Sequence, residues 1–396
     1  MPWINTSTMD QQSEFINLWE SNNYSFAALC RAFGISRTAG YNIVNKYKEF
    51  GPAGIIESSK APFSQPNRTP VEIEEAIIDL RKDHKNWGAR KFATLLKLQF
   101  PEEMIPSVTT INNILGRNGL IEPRKRVKRV KPVYPIFNPV ECNEVWSADF
   151  KGKFKMGNKK YCHPLTIADS FSRFVFSSKG LYSENYKSVK KEFTRVFKEF
   201  GMPHQIHTDN GTPFGSIRAI KRFTQLSYWF IDLGIMPVFS DPAHPEQNGR
   251  HERMHRDLKA ECAMPPAYNL TGQQRSMNHF LNEYNNIRPH EALEMKTPAK
   301  VHIRSRRPFI DKIEDYYYPD GIELQYVTKN GAIRWKAYYW IYMTRALAGK
   351  YVGIEELGNG VWKVFYRNVF LGYINDKLLK YREKSIRLTD NIVSTM

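Results

Sequence analysis

Three runs of sequence, VWSADFKGKF (145–154), KKYCHPLTIAD (159–169) and SRFVFSSKG (172–180), decide the fold of this chain. Each is rich in β-branched and aromatic residues, and short polar turns separate them, which predicts three successive strands. Further along the chain, helical and strand-like runs alternate, and one of the expected helices covers IRAIKRFTQLSYWFIDLG (217–234). Antiparallel strands followed by alternating helix and strand are typical of an α/β fold. We therefore expect a mixed five-stranded sheet with helices on both faces over residues 141–303.

Three carboxylates lie within this predicted core, each in an unusual local sequence. Asp149 interrupts the first apolar strand, Asp209 ends the strand-like run HQIHTD, and Glu252 lies in the helical run EQNGRHERMHRDLKAEC. A charge inside an apolar strand is costly unless it is paired, bound to metal or at the rim. Oxygen ligands suit hard cations such as Mg²⁺, and two such cations can clamp both oxygens of a phosphoryl transfer. The three residues therefore predict a metal-dependent phosphoryl-transfer site, with a structural salt bridge at Asp149 as the alternative.

The helical run that carries Glu252 supports two other interpretations. Glu252 is expected to share one face with His255, Arg256 and Lys259, an arrangement that suits a metal beside a phosphate track. An exposed face of ordinary ion pairs is the alternative. HERMH (251–255) also fits the H-E-x-x-H pattern of zinc metalloproteases, but the later Gly and His ligand pattern does not follow it.

Charge and composition indicate the class of partner. Lys and Arg number 58 against 40 Asp and Glu, which gives a net charge of +18 and a pI near 9.5. Such an excess favours a polyanion, here nucleic acid, over a merely solvated basic surface. The first fifteen residues contain neither Lys nor Arg, and no run reaches the ~18 apolar residues of a membrane span. The four cysteines show no paired spacing. We expect a cytoplasmic protein with reduced thiols and no membrane partner.

Residues 1–60 are predicted to form a helix-turn-helix DNA-binding domain. SFAALCRAF, GIS and RTAGYNIVNKYKEF (25–50) give helix, tight turn and helix, with Gly34 suited to positive φ and Ser36 to the N-cap. An ordinary helical hairpin is the alternative. The second helix resembles a recognition helix, with short polar side chains towards base edges. Its candidate DNA-binding residues are Arg37, Thr38, Asn42 and Asn45.

A second helix-turn-helix-like domain is expected at 71–122, after a Pro-, Ser- and Asn-rich linker at 61–70. Its third helix begins after Ser107 and leaves Thr109, Thr110 and Asn113 as candidate DNA-binding residues. A basic linker follows at 123–140, and its run PRKRVKRVKP either tracks phosphates or is only solvated. The phosphate contacts that we expect from this linker are made by Arg124, Lys125, Arg126, Lys128 and Arg129.

Residues 304–396 are predicted to form a small all-β barrel. Short aromatic and β-branched runs are divided by PDG, KNG and GNG, and Asn-Gly between such runs is a strong hairpin signal. The basic, aromatic surface of this module suits DNA, although a purely structural barrel explains it nearly as well.

With its WSADF, TDNGTPF and NGRHERMHRDLK segments, the chain resembles the DDE transposases of bacterial insertion sequences. LCRAFGISR, PLTIADSFSR and YNNIRPHEAL extend the resemblance over nearly the whole length. It implies a ribonuclease H-like core similar to that of retroviral integrases. It also implies that Asp149, Asp209 and Glu252 are catalytic and bind two Mg²⁺ (or Mn²⁺). The integrases' N-terminal zinc module is missing here, and helix-turn-helix units stand in its place.

The resemblance further implies a function and its partners. Such an enzyme cleaves the ends of its mobile element and transfers them to target DNA, so its partners are double-stranded terminal inverted repeats and target DNA. It would act as a homo-oligomer on paired ends, in the bacterial cytoplasm and on the nucleoid when bound. Near the site, Asn210, Arg256 and Lys259 are candidate DNA contacts. Arg288 and His290, in NNIRPHEAL, either brace the helix after Glu252 or contact DNA.

Several alternatives remain at the level of the sequence. Between Asp209 and Glu252 lie 42 residues, where the family often has about 35, and the extra residues are expected in FGSIRAIKRFTQLSYWF. Glu246 gives the shorter spacing, but its loop context favours Glu252 as the ligand. Asp169 is a rival for the first ligand, although its SFSR surroundings indicate a turn cap. A DNA-binding protein that has lost catalysis, or a zinc protease, are the alternative functions.

Overall fold

The computed structural model describes residues 8–56, 68–121, 138–217, 219–241, 249–379 and 385–389. The chain divides into two compact units, Met1–Thr69 and Pro70–Met396. Within the described ranges, no helix combines the length and the apolarity needed to cross a membrane.

The described residues of the first unit form a group of three α-helices. Ser36 caps the third helix by accepting a hydrogen bond from the Ala39 N–H (3.1 Å), and Gly34 has φ +64°, as the sequence predicted. Gly40 allows close packing, since a β-carbon there would lie 2.8 Å from the Cys30 sulfur. The helices are α1 Thr8–Glu20, α2 Phe26–Ala32 and α3 Arg37–Phe50.

The second unit begins with another three-helix group. Its helices enclose a core that includes Ile73, Trp87, Phe92 and Ile111. Ser107 caps the last helix through the Thr110 N–H (3.2 Å). The helices are α4 Val71–Asp83, α5 Ala89–Leu96 and α6 Val108–Arg117.

A mixed sheet forms the centre of the second unit. Its strands are β1 Val145–Phe150, β2 Phe154–Lys155, β3 Tyr161–Asp169, β4 Val175–Leu181, β5 Gln205–Thr208 and β6 Met236–Phe239. The order is β2-β3-β1-β5-β6, with β4 also paired to β3. Strands β1, β3 and β4 are antiparallel neighbours, whereas β1, β5 and β6 run parallel. The predicted mixed sheet is confirmed, with the short strand β2 added to the five.

Helices cover both faces of this sheet. They are α7 Tyr186–Phe200, α8 Gln225–Asp232, α9 Gly249–Cys262, α10 Leu270–Asn282 and α11 Pro298–Val301. Helices α7 and α8 pack against Trp146, Ala148 and Leu165, while α9 and α10 share a core with Cys162 and Ala168 on the other side. Because side chains alternate along a strand, Ser147 and Asp149 point towards the α9 side.

The helix predicted over residues 217–234 is shorter than expected. Ile220–Arg222 is a 3₁₀ turn with Lys221 at φ 50°, and Gly215 bridges Phe223 as a short β contact. The α-helix begins only after Thr224, which caps it in a reciprocal capping box with Ser227.

The C-terminal module contains two open sheets, so the predicted barrel is not confirmed in its described residues. The strands are β7 Glu323–Tyr326, β8 Ala332–Trp335, β9 Tyr339–Tyr342, β10 Tyr351–Gly358, β11 Val361–Tyr366, β12 Val369–Asn375 and β13 Ser385–Arg387, with α12 Asp376–Leu379. One sheet has the order β12-β11-β10-β7 and the other β13-β9-β8.

The two Asn-Gly turns explain this difference. GNG (358–360) joins the paired strands β10 and β11, with positive φ at Asn359 and Gly360, as a tight hairpin requires. KNG (329–331) does not pair β7 with β8 and instead carries the chain into the second sheet. Both sheets enclose one apolar cluster, which also includes Tyr228 and Ile231 of α8.

Candidate active site

The sheet brings Asp149 and Asp209 to one edge. Strands β1 and β5 are parallel and in register, with Ser147 opposite His207. Asp149 lies two residues beyond Ser147, and Asp209 lies two residues beyond His207 and directly after the end of β5. The carboxyl ends of parallel strands meet at the same edge, so the two aspartates are neighbours.

Helix α9 brings Glu252 to the same cleft. Glu252 is exposed in the first described turn of the helix, while His251 and His255 are buried (each 3% exposed) and face the sheet. The Nδ1 atom of His255 lies 3.7 Å from Oδ2 of Asp149. We expected His255 to share one face of the helix with Glu252. That prediction is wrong, because the His255 imidazole is buried against the sheet while Glu252 is exposed.

The charges of the three carboxylates act on one another. Burial, together with the charges of Asp209 and Glu252, raises the pKa of Asp149 to about 7, although the Phe150 backbone N–H and Lys151 oppose the shift. Burial also raises the pKa of Asp209, as does the charge of Glu184, while the Gly211 N–H (3.1 Å) opposes the shift. An acidic site with carboxyl pKa values raised by its own charges would gain stability from a cation.

The donor set fits a hard divalent cation. Asp149, Asp209 and Glu252 offer only oxygen atoms, which is the ligand type that Mg²⁺ and Mn²⁺ prefer. Their oxygens do not all lie within 4.8 Å of one another. Asp209 and Glu252 are exposed, and Asp149 retains 21% of its side-chain exposure. A phosphodiester can therefore reach them from solvent.

Several segments of the chain match models of known protein families. Residues 139–245 and 233–298 each match an integrase core domain, residues 14–63 match a helix-turn-helix domain, and residues 39–115 match a homeodomain-like domain. An insertion element IS476 protein of Xanthomonas euvesicatoria is 25% identical over 252 residues, which are 63% of this chain and 69% of that protein. Together these matches support an insertion-sequence transposase with an integrase-like core.

The chain covers a much smaller share of its viral relatives. The Pro-Pol polyprotein of Simian foamy virus type 3 is 27% identical over 128 residues, which are 32% of this chain and 10% of the polyprotein. Among solved structures, the match to the HTLV-2 integrase catalytic core domain in complex with magnesium covers 42% of this chain and 100% of that chain. Its identity is 19%, with a TM-score of 0.33.

The HERMH segment does not form a zinc-protease site. The Nε2 atoms of His251 and His255 both lie 2.6 Å from the Thr166 hydroxyl oxygen, which is fully buried. That hydroxyl occupies the point at which the two imidazoles converge. Glu252, between them in sequence, is exposed on a different face.

Asp169, the rival ligand, is a turn cap. Its carboxylate accepts hydrogen bonds from the Asn143 N–H (3.0 Å), the Ser172 N–H (2.8 Å) and the Ser172 hydroxyl (2.5 Å). Cys142 and His302 also approach it, with possible ligand atoms within 4.8 Å. Because three donors already hold Asp169, hydrogen bonding explains this cluster.

Cationic side chains lie beside the carboxylates. Lys151, Lys153 and Lys259 line one small cleft next to the site, and Arg256 is exposed on α9. Asn210, whose contact with DNA stays a prediction, is hydrogen-bonded within the protein. Its amide donates to the Ser240 carbonyl (2.6 Å) and accepts from Arg222 (3.1 Å), so the side chain braces its own loop.

The predicted DNA-reading residues of the helical groups are mostly exposed. The exposed ones are Arg37, Thr38, Asn42, Asn45, Thr109 and Asn113, while Thr110 is half-buried beside the Ser107 cap. The basic residues Arg124, Lys125, Arg126, Lys128 and Arg129 lie outside the described residues, as does Glu246. Arg288 braces α9 by donating to Asp257 (2.5 Å).

Sequence reasoning missed the polar residues behind the aspartates. Ser147 and Thr166 face α9 from β1 and β3. The Glu184 carboxylate accepts from Nδ1 of His163 (2.7 Å), and its charge acts on Asp209. The available signal was polar residues alternating with apolar ones along β1 and β3, on the face opposite Trp146 and Leu165.

Proposed function

We propose that this transposase binds the ends of its mobile element and catalyses metal-dependent DNA strand cleavage and strand transfer. The observation that carries the proposal is the approach of Asp149, Asp209 and Glu252 from two strands and a helix, where burial and then the charges of the other two carboxylates raise the pKa of Asp149 to about 7. Uncompensated carboxylates of this kind are costly in a protein without a cationic ligand.

The site residues would share the work as follows. Asp149, Asp209 and Glu252 would hold two divalent cations, Mg²⁺ or Mn²⁺, which activate the attacking oxygen and stabilise charge on the phosphate. Lys151, Lys153 and Lys259 attract and hold the DNA backbone beside them. Water and a DNA 3′-hydroxyl attack phosphodiesters with the same in-line geometry, so one site serves cleavage and transfer.

The helical groups select the DNA sequence that the protein binds. Helices α3 and α6 each present short polar side chains to solvent after a serine cap, as a helix that reads the major groove does. The substrates would be the element's terminal inverted repeats and a target duplex. Because an element has two ends, we expect the protein to act as a homo-oligomer on paired ends.

The direct test is cleavage of labelled element-end DNA with Mg²⁺, Mn²⁺ or Zn²⁺, and with a chelator. We expect cleavage with Mg²⁺ and Mn²⁺ and its loss on chelation, because the donor set contains only oxygen. Cleavage that survives chelation, or that requires Zn²⁺, would contradict the proposal. Tight binding to end DNA without cleavage under any metal would instead favour a silent DNA-binding protein.

A further inference from the structure

A chain of buried polar groups lies behind Asp149, between the sheet and α9. The Ser147 hydroxyl lies 2.9 Å from Nδ1 of His251, and Nε2 of His251 lies 2.6 Å from the Thr166 hydroxyl. The same hydroxyl lies 2.6 Å from Nε2 of His255, whose Nδ1 faces Oδ2 of Asp149 at 3.7 Å. Three groups, His251, Thr166 and His255, thus connect Ser147 to the carboxylate of Asp149, two positions further along the same strand.

One assignment of protons satisfies every group in this chain. Ser147 donates to Nδ1 of His251, the Nε2–H of His251 donates to Thr166, and Thr166 donates to Nε2 of His255. The Nδ1–H of His255 then points at the Asp149 carboxylate. Thr166 also lies 3.0 Å from the Asp149 carbonyl oxygen, to which its single proton can go instead.

The assignment treats both imidazoles as neutral, and their burial (each 3% exposed) disfavours the charged form. A neutral imidazole has one donor and one acceptor, so the partner on one side fixes what the other side can do.

Packing alone does not explain these residues. The remainder of this face of α9 is apolar, with Met254 and Leu258 in the core that α9 shares with α10. Burying two imidazoles and a hydroxyl there is costly unless they are hydrogen-bonded, and apolar residues of the same size would avoid that cost.

Resting on the proposed function, we propose that His255 is a positioning residue that orients the Asp149 carboxylate for metal binding through its Nδ1–H, with Thr166 and His251 fixing its tautomer. The distance of 3.7 Å is longer than a hydrogen bond, and such contacts tighten when the site is loaded. His255 touches neither DNA nor the reacting atoms and acts only through Asp149.

Two substitutions at one position separate this role from packing. In His255→Asn the amide nitrogen replaces Nδ1 and can still donate to Asp149, whereas in His255→Gln it replaces Nε2 and retains only the Thr166 contact. We expect the Gln variant to bind Mn²⁺ about 10–100-fold more weakly, as loss of a group that orients a metal ligand does. The Asn variant should remain within about three-fold of the unmodified protein.

The measurement is Mn²⁺ binding to the full-length protein by electron paramagnetic resonance, together with thermal melting. A weaker Gln variant with a rescued Asn variant supports the proposal, and equal affinities of the two overturn it. If the unmodified protein binds no Mn²⁺, the proposed function itself fails. If either His255 variant does not fold, Thr166→Val and Thr166→Ser give the same comparison. Only the Val variant should then bind Mn²⁺ more weakly, and equal binding would again overturn the proposal.

Discussion

The edge of the central sheet and the exposed faces of α3 and α6 are built in opposite ways. At the sheet edge, Asp149 is surrounded by groups from β1, β3, β5 and α9 that are far apart in sequence. On α3, Asn42 and Asn45 are exposed to solvent. Phosphoryl transfer needs groups that are oriented in advance, whereas base reading needs side chains free to meet a groove. The two regions should therefore fail separately.

The largest effect should come from the aspartates. Asp149→Asn and Asp209→Asn should each lower cleavage and strand transfer by at least about 1000-fold, since each removes a charged metal ligand. Binding to end DNA, measured by fluorescence anisotropy, should stay within about three-fold. If a variant cleaves almost normally, its residue is not a metal ligand of the site. If a variant loses DNA binding, the two regions are not separate.

Glu252→Gln against Glu246→Gln compares two acids six residues apart. Glu252 lies on α9 and raises the pKa of Asp149, so its amide variant should abolish cleavage. Glu246→Gln should cost less than about three-fold, and it serves as the matched control. Metal-dependent cleavage of both proteins is the measurement. The reverse ranking would mean that Glu246 is the third ligand.

On α3, Asn42→Ala combined with Asn45→Ala should reduce the preference for end DNA over random duplex by about 30-fold or more, since each contact to a base edge contributes about 1–3 kcal/mol. The exposed Glu49 at the far end of α3 provides the control, as Glu49→Ala should leave that preference unchanged. Competition binding at fixed salt measures both. Mn²⁺ affinity should not change, and a change would show that the two regions are coupled.

The smallest effect is a pH dependence of stability. The folded state raises the pKa of Asp149 from 3.8 to about 7, so this residue's contribution to the free energy of unfolding falls as the pH rises through that interval. Without metal, Asp149→Asn should therefore melt higher than the unmodified protein at pH 8, by roughly 2–6 °C for about 1–2 kcal/mol.

The difference between the two proteins should narrow towards pH 5. Added Mg²⁺ should stabilise the unmodified protein more at pH 8 than at pH 5, because it binds the ionised carboxylates, and should leave the variant nearly unchanged. Scanning calorimetry with and without metal measures these shifts. A melting difference that does not vary with pH would show that Asp149 does not have a raised pKa.

The sequence predicted best those features that depend on neighbouring residues. Ser36 and Ser107 cap their helices because a serine hydroxyl reaches the N–H three residues along. Strands β1 and β3 follow from their composition. The position of Asp209 after a short strand also follows, although its pairing with Asp149 required the parallel register of β1 and β5.

The wrong predictions concern contacts between distant segments. Thr224 begins α8 because its hydroxyl also contacts the carbonyls of Pro213 and Phe214, which the local sequence does not show. The turn at 329–331 leads to a second sheet because Gly331 lies against the backbone of Thr344. His255 is buried because Thr166, 89 residues earlier, receives it.

The hydrogen bonds that hold α9 against the sheet have a further consequence. The chain that precedes α9 does not have to determine the position of Glu252. Because His251 and His255 hold the helix, Glu252 reaches the cleft whatever the length of the connection from Asp209. Lengthening that connection from about 35 to 42 residues costs only about 0.2 kcal/mol of chain entropy. The connection includes Ile220 and Phe223, which pack in the apolar cluster of the C-terminal sheets. The chain between the two proposed catalytic acids thus also contributes to the core of a neighbouring module, at almost no entropic cost.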